Sequence, residues 1–120
     1  MREFAEAMKI LGEPNRLRIV KMLQERSAYV CEIAQVLGIS MATVSTHLSV
    51  LKRFHIVEDK REGVKILYSL SSPPNRDIKK LLDFLKEIGE NWKVTKEDRK
   101  HLHSIENVDE VCSKQRNTES

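Results

Sequence analysis

VCEIAQVLGISMATVSTHLSVLKR, residues 30–53, is two short amphipathic helix patterns joined by Leu37-Gly38-Ile39-Ser40. Ile33, Ala34 and Leu37 share one face of the first pattern. Val44, Leu48 and Leu51 share one face of the second, which leaves Met41, Thr43, Ser45, Thr46, Ser49 and Lys52 on its other sides. A helix, a tight glycine turn and a second helix with a small polar outer surface is the sequence form of a DNA-reading helix-turn-helix. Gly38 suits the left-handed position that ends the first helix, and Ser40 can cap the second, which is expected to run to about Phe54.

On the N-terminal side, Phe4, Met8 and Leu11 recur at helical spacing and predict an amphipathic helix ending at Gly12. Pro14 fits the first turn of a second helix. Its core side is read as Leu17, Val20, Met22 and Leu23, with Ile19 close by and with Arg16, Arg18 and Lys21 pointing elsewhere. Ser27-Ala28-Tyr29 reads as a connection. Glu32 lies in the first turn of the next helix, at the positive end of its dipole.

On the C-terminal side, residues 57–60 and 65–70 read as strands, and Gly63 supplies the positive φ that a hairpin turn needs. A basic hairpin directly after a helix-turn-helix is a candidate wing. Ser71-Ser72-Pro73-Pro74-Asn75 breaks the chain. Ile78, Leu81, Leu82, Leu85, Ile88 and Trp92 then trace a strong helical stripe, with Phe84 beside it. Thr95 can cap a last helix with Asp98 at the capping-box position. Leu102, Ile105 and Val108 give that helix a thinner stripe. The fold class expected is mainly α with a small β-hairpin, a winged helix-turn-helix of four helices, two strands and a fifth helix, with a sixth at the C-terminus. Residues 1–92 form the DNA-binding and dimerisation domain, 93–113 a helical extension and 114–120 a flexible tail.

The chain has 120 residues, and its 21 basic against 18 acidic residues leave a net charge of +3. The signs are interspersed, so the charge alone is weak support for a nucleic-acid partner, although a twofold dimer would reach about +6 and help steering. An apolar share of 40% with 32% charged residues suits much exposed helix surface, or a core partly supplied by a second copy. The N-terminus has no apolar core of a signal peptide, and no run of about 18 apolar residues predicts a membrane span. A cytoplasmic chain is expected, and there Cys31 and Cys112 default to free thiols.

Residues 11–20 (LGEPNRLRIV), Val30-Cys31-Glu32-Ile33-Ala34, the stretch Ser40–Leu51 and the hairpin together resemble the ArsR/SmtB family of winged-helix repressors. The likeness covers roughly residues 1–92. It implies a homodimer that occupies an operator and leaves it when an effector binds or a thiol is modified. The residues support the same reading. Ser40, Met41, Thr43, Ser45, Thr46, His47 and Lys52 are the candidate contacts of the recognition helix: short hydroxyl side chains let the backbone approach the major groove, and Met41 can touch a thymine methyl. His47 suits either a phosphate contact or packing against the wing or the turn, and His55 reads as a left-handed cap rather than a ligand. Lys60, Arg61 and Lys65 are the candidate wing contacts, on phosphates or in the minor groove; the alternative is an ordinary solvated hairpin. The family's recognition helix often carries Gln, Arg and Lys where this chain has Met41, Thr46 and Ser49, which predicts modest affinity per half-site and more reliance on DNA shape.

The stripe from Ile78 to Trp92 is too apolar for a lone terminal helix, and the likeness implies a dimer through the first and fifth helices. Phe4, Met8, Leu81, Leu85, Ile88 and Trp92 are the interface candidates. Such a twofold would set two recognition helices about one DNA turn apart, as a palindromic operator on double-stranded DNA requires.

The sensor is less determined. The family's soft-metal branch opens the third helix with Cys-x-Cys; here Cys31 holds the second place and Tyr29 replaces the first. Its zinc branch uses Asp and His pairs on the long dimer helix, but Asp77 is followed by Lys79 where a histidine would stand. His101 and His103 point to different faces and read as solvated. Cys112 can reach Cys31 from the tail or across a dimer, as a thiol switch or a site for a soft metal or arsenite-like metalloid. The alternative is a small buried hydrophobe and a passive surface thiol. A winged-helix protein-interaction module is the competing class; it would tolerate Thr43→Glu and Arg61→Glu. No phosphate loop, nucleophile-and-base pair or paired carboxylates point to an enzyme.

Overall fold

In the computed structural model the elements run α1 (Arg2–Leu11), α2 (Pro14–Glu25), β1 (Ala28–Tyr29), α3 (Val30–Leu37), α4 (Met41–Arg53), β2 (Val57–Glu62), β3 (Lys65–Leu70), α5 (Arg76–Glu87), α6 (Lys93–Ser104) and α7 (Val108–Glu119). The structure describes the backbone of residues 1–119 and side chains as far as Lys114. α7 therefore runs into the segment expected to be a flexible tail; Ser120 and the side chains of 115–120 lie outside the described residues.

Local chemistry accounts for the boundaries. Glu13 caps α2, its carboxylate accepting from the Arg16 N–H at 2.8 Å, with Pro14 in the first turn. Gly38 ends α3 in the left-handed region at φ 69°, and Ser40 Oγ accepts the Thr43 N–H at 3.1 Å to start α4. α4 ends on the left-handed histidine expected from sequence: His55 has φ 57°. Its N–H bonds Lys52 O at 2.9 Å and that of Ile56 bonds Leu51 O at 3.1 Å, the two bonds of a Schellman cap.

The strands form an antiparallel sheet in the order β1-β3-β2. Residues 57–62 pair with 65–70 around a two-residue turn at Gly63-Val64, with φ 64° at the glycine. Val64 is not in the left-handed region, so the turn has the glycine-first form that matches strand twist. Ala28 and Tyr29, read from sequence as a connection, add a short third strand on Tyr68 and Leu67. This strand anchors the start of α3 to the wing. α3 is enclosed, with every residue but Gln35 buried, and α2, α4, β3, α6 and α7 all pack against it or its neighbours.

The C-terminal third departs most from expectation. The stripe from Ile78 to Trp92 is not one helix. α5 stops at Glu87, Gly89 turns the chain at φ 77°, and Trp92 becomes the N-cap of α6. A Cβ on Gly89 would lie 2.5 Å from the Trp92 ring. Periodicity is unaware of this break because Trp92 still falls on the extrapolated face. Thr95 sits inside the first turn of α6 rather than capping it, and Asp98 is buried in a two-bond pair with Arg18 of α2, 2.9 Å each. Leu102 is fully buried, while Val108 belongs to α7.

Lys21, expected to point away from the core, is buried. Its ammonium donates to Leu85 O at 2.8 Å, Ile88 O at 2.6 Å and Glu90 Oε1 at 2.9 Å. It thus collects the carbonyls that the end of α5 leaves unpaired. Arg99 of α6 also pairs with Glu90. Hydrogen bonds from Arg99 and Lys21 hold the Glu90 carboxyl down from its ordinary 4.5 to about 2. A carboxyl depressed in the folded state stabilises the fold above its unfolded pKa and loses that contribution as pH falls through the folded one. Glu90→Gln is therefore expected to be less stable than the parent in urea titrations at pH 7, with the difference shrinking between pH 4.5 and about 2. A constant difference across that range would contradict the linkage.

Candidate nucleic-acid interface

α3 and α4 are bent by 113° at the Gly38 turn, within the range that helix-turn-helix pairs adopt. Val44, Leu48 and Leu51 fix α4 on the core, so Ala42, Thr43, Ser45, Thr46 and Ser49 form its outer face. Thr43 Oγ1 lies 3.0 Å from Ser40 Oγ, joining both hydroxyls at the helix start. Thr46 Oγ1 donates to Ala42 O at 3.1 Å, which leaves its lone pairs outward as acceptors. The face is small, polar and without a formal charge until Lys52 and Arg53 in the last turn.

Among the sequence candidates, His47 is set apart. Its side chain is largely buried, with Nδ1 3.2 Å from Arg16 of α2 and 3.9 Å from the Glu13 carboxylate. Position 47 faces the turn before α2, because a three-residue step from Val44 returns toward the core. It braces the recognition helix rather than reading with it. Lys52 is exposed but engaged with Asp59 of the wing at 2.9 Å. That bond holds its pKa above the ordinary lysine value and ties the end of α4 to β2.

The wing carries Lys60 and Arg61 exposed, with Arg61 Nε on Gly63 O at 3.1 Å and Val64 at the tip. Lys65 is engaged elsewhere: its ammonium contacts Asp109 of α7 at 2.5 Å and lies 5.1 Å from the centre of the Tyr29 ring. Tyr29 Oη in turn donates to Glu62 at 2.5 Å. Val64, Glu62 and Asp109 were not singled out from sequence. Their roles depend on the hairpin register and on where α7 lands, for which the chain carries no local signal.

Cys31 and Cys112, expected by default to be free thiols with a pairing as the alternative, are instead joined as a disulfide with Cα atoms 5.0 Å apart, a separation usual for such bridges. Both residues are buried. A cavity of about 110 Å³ beside them is lined by Tyr29, Met41, Ser45, Val64 and Lys65 among others. His103 contacts Glu25 at 3.1 Å, and His101 is not beside it in any cluster: among the described residues no group of three or more His, Cys, Asp or Glu converges.

The interface candidates divide. Phe4, Leu81 and Ile88 are half-buried, and Met8 is 50% exposed. Leu85 is buried within its own protomer, which removes it from an interface set, and Trp92 sits beyond α5. Phe84, only noted beside the stripe, is the large apolar side chain that α5 leaves outermost, at 54% exposed.

A helix-turn-helix anchored on the core and followed by a hairpin that exposes Lys60 and Arg61 defines a winged-helix DNA-binding protein. Residues 13–59 match the family described as bacterial regulatory protein, arsR family. The chain is 39% identical over 82 residues to an HTH-type transcriptional regulator of Methanocaldococcus jannaschii, covering 68% of this chain and 92% of that one. It is 38% identical over 80 residues to the transcriptional repressor PagR of Bacillus anthracis, covering 66% and 80%. Among solved structures, the repressor BigR from Xylella fastidiosa is similar at 34% identity and a TM-score of 0.59, with 72% of this chain and 83% of that one covered. A homodimeric winged helix-turn-helix domain from Mycobacterium bovis is similar at 28% identity and a TM-score of 0.60, covering 72% and 78%. The chain belongs to the ArsR family of DNA-binding transcriptional regulators, and it is not an enzyme.

Ser40 is the residue through which local chemistry sets the recognition helix. Ser40→Ala is expected to lower unfolding free energy by about 1 kcal/mol, measured in urea. No change would mean that the cap seen at Thr43 N contributes nothing.

Proposed function

We propose that the protein is a homodimeric repressor that occupies a palindromic operator in its dithiol form and leaves it when Cys31 and Cys112 are oxidised. The observation that carries this is the Cys31–Cys112 bridge: it joins the first turn of the helix-turn-helix to a helix outside the residues 13–59 that match the family. In the switching step two thiols lose two protons and two electrons, and a peroxide or low-molecular-weight disulfide takes them up. The cavity of about 110 Å³ gives a small oxidant or reductant a path to the sulfurs. A soft-metal sensor has less support, because the described residues bring no third ligand to the two sulfurs.

Thr43, Ser45 and Thr46 enter the major groove, with Ser40 and Met41 at its edge. Lys60, Arg61 and Lys65 hold the flanking backbone. With few charges on α4, the wing and the second protomer supply much of the affinity. Dimerisation uses α1 and α5, which pack on each other and expose Met8, Phe84 and the half-buried Phe4 and Leu81. The family likeness includes a homodimer built on the same unit.

The test is a gel shift with the DNA upstream of the protein's own coding sequence. Reduced protein is expected to give a salt-sensitive, sequence-selective complex that Thr43→Glu or Arg61→Glu abolishes. Oxidant is expected to dissolve the parent complex and to leave those of Cys31→Ser and Cys112→Ser intact. An oxidant response unchanged in both cysteine variants would remove the thiol reading. For the dimer, Phe84→Glu is expected to give monomers in sedimentation at micromolar concentration, with a parent that sediments as a dimer; a monomeric parent would refute the interface.

A further inference from the structure

α6 and α7 are held in different ways. α6 is part of the core: Leu102 is fully buried, Asp98 is paired with Arg18, and Arg99 with Glu90. α7 follows a short break at Ile105-Glu106-Asn107, where Asn107 Oδ1 accepts the Glu110 N–H at 3.0 Å and starts a new helix. Among its described side chains only Cys112 is buried; Val108 and Val111 are half-buried and the rest exposed. Among the described residues the disulfide is the one covalent tie between α7 and the helix-turn-helix. Its location matters. α7 packs along α3 and touches α4, Cys112 shares a cavity wall with Met41, Ser45 and Val64, and Asp109 takes the ammonium of Lys65.

We propose that α7 of the disulfide form is an intramolecular mask beside the DNA-contacting face: it packs next to the half-buried Met41 at the start of the recognition helix and withdraws the wing cation Lys65 onto Asp109. Reduction frees α7 at the 105–107 break and returns Lys65 to the DNA backbone. The acidic first turn of α7, Asp109 and Glu110, adds repulsion toward phosphates while the mask is closed. The cysteine pair thus acts on its own protomer's reading surface, with no need to change the spacing between protomers. Tyr29 couples the two parts, because it lies two residues before Cys31, carries Lys65 over its ring and holds Glu62 of the wing. This inference rests on the thiol-controlled reading above.

The test is fluorescence anisotropy of the upstream duplex against salt concentration, with oxidised and reduced forms of three full-length chains: parent, Cys31→Ser and Asp109→Asn. The last keeps both cysteines, and the Asp109 side chain is 83% exposed, so its replacement leaves the core intact. Oxidised parent is expected to bind more weakly than reduced parent, with a salt slope shallower by about 2 for the dimer, since each recovered phosphate contact adds about 0.9. Oxidised Asp109→Asn is expected to regain the steep slope. All reduced forms are expected to bind alike. If oxidised Asp109→Asn loses affinity and slope as fully as the oxidised parent, while Cys31→Ser is indifferent to oxidant, the mask is refuted and the thiol switch stands. If parent and Cys31→Ser respond to oxidant alike, the thiol switch itself is refuted, and the mask with it.

Discussion

The carboxylate of Glu32 is the point on which the architecture depends. It is buried at the start of α3, accepts the Tyr29 N–H at 3.0 Å, and pairs with Arg26 at 2.9 Å. The same Arg26 guanidinium reaches Leu102 O at 3.1 Å. One ion pair therefore joins the end of α2, the strand that ties the wing to α3, the first turn of the helix-turn-helix and the end of α6. A buried carboxylate stripped of its partner costs on the order of 3–5 kcal/mol, so this junction is not free to drift. Cys31 is the residue immediately before Glu32. In the proposed switch Cys31 therefore sits at this bonded junction, and α7 is the partner that moves.

Division of labour follows from that stiffness. α4 has a small reading face and is braced rather than mobile: Ser40 at its start, His47 against Arg16 in its middle and Lys52 against Asp59 at its end. A braced helix with few charges gains specificity from shape and position more than from strong contacts. Control is then exerted most economically on the cations around it. Coupling between DNA and thiol state is reciprocal. If the dithiol form binds the operator more tightly, bound operator makes Cys31 and Cys112 harder to oxidise by the same factor.

The elements that the sequence made legible share a short range of action. Gly38, Ser40, His55 and Gly63 each act on their own turn, and each stands where its residue type predicts. Apolar periodicity placed the helices that pack on one core. What escaped it acts at long range. Lys21 looks like a surface residue in a helical wheel, because its partners lie at Leu85, Ile88 and Glu90. Asp98 looks like a capping-box residue because Arg18, its partner, is 80 positions away. The break at Gly89 is invisible because Trp92 keeps the phase of the α5 stripe while serving another helix. Cys31 and Cys112 could be named as candidates from type and context, but 81 residues separate them, and their pairing is a consequence of where α6 delivers α7.

The central claim is that the thiol state decides whether α7 is seated on the DNA-reading unit. Hydrogen exchange of the free protein, followed by mass spectrometry in the disulfide and dithiol forms, measures that seating without DNA. The account predicts that reduction removes protection from α7 amides and leaves α3, α4 and α6 as protected as before. Equal protection of α7 in both forms, or a loss shared by α3 and α4, would contradict it.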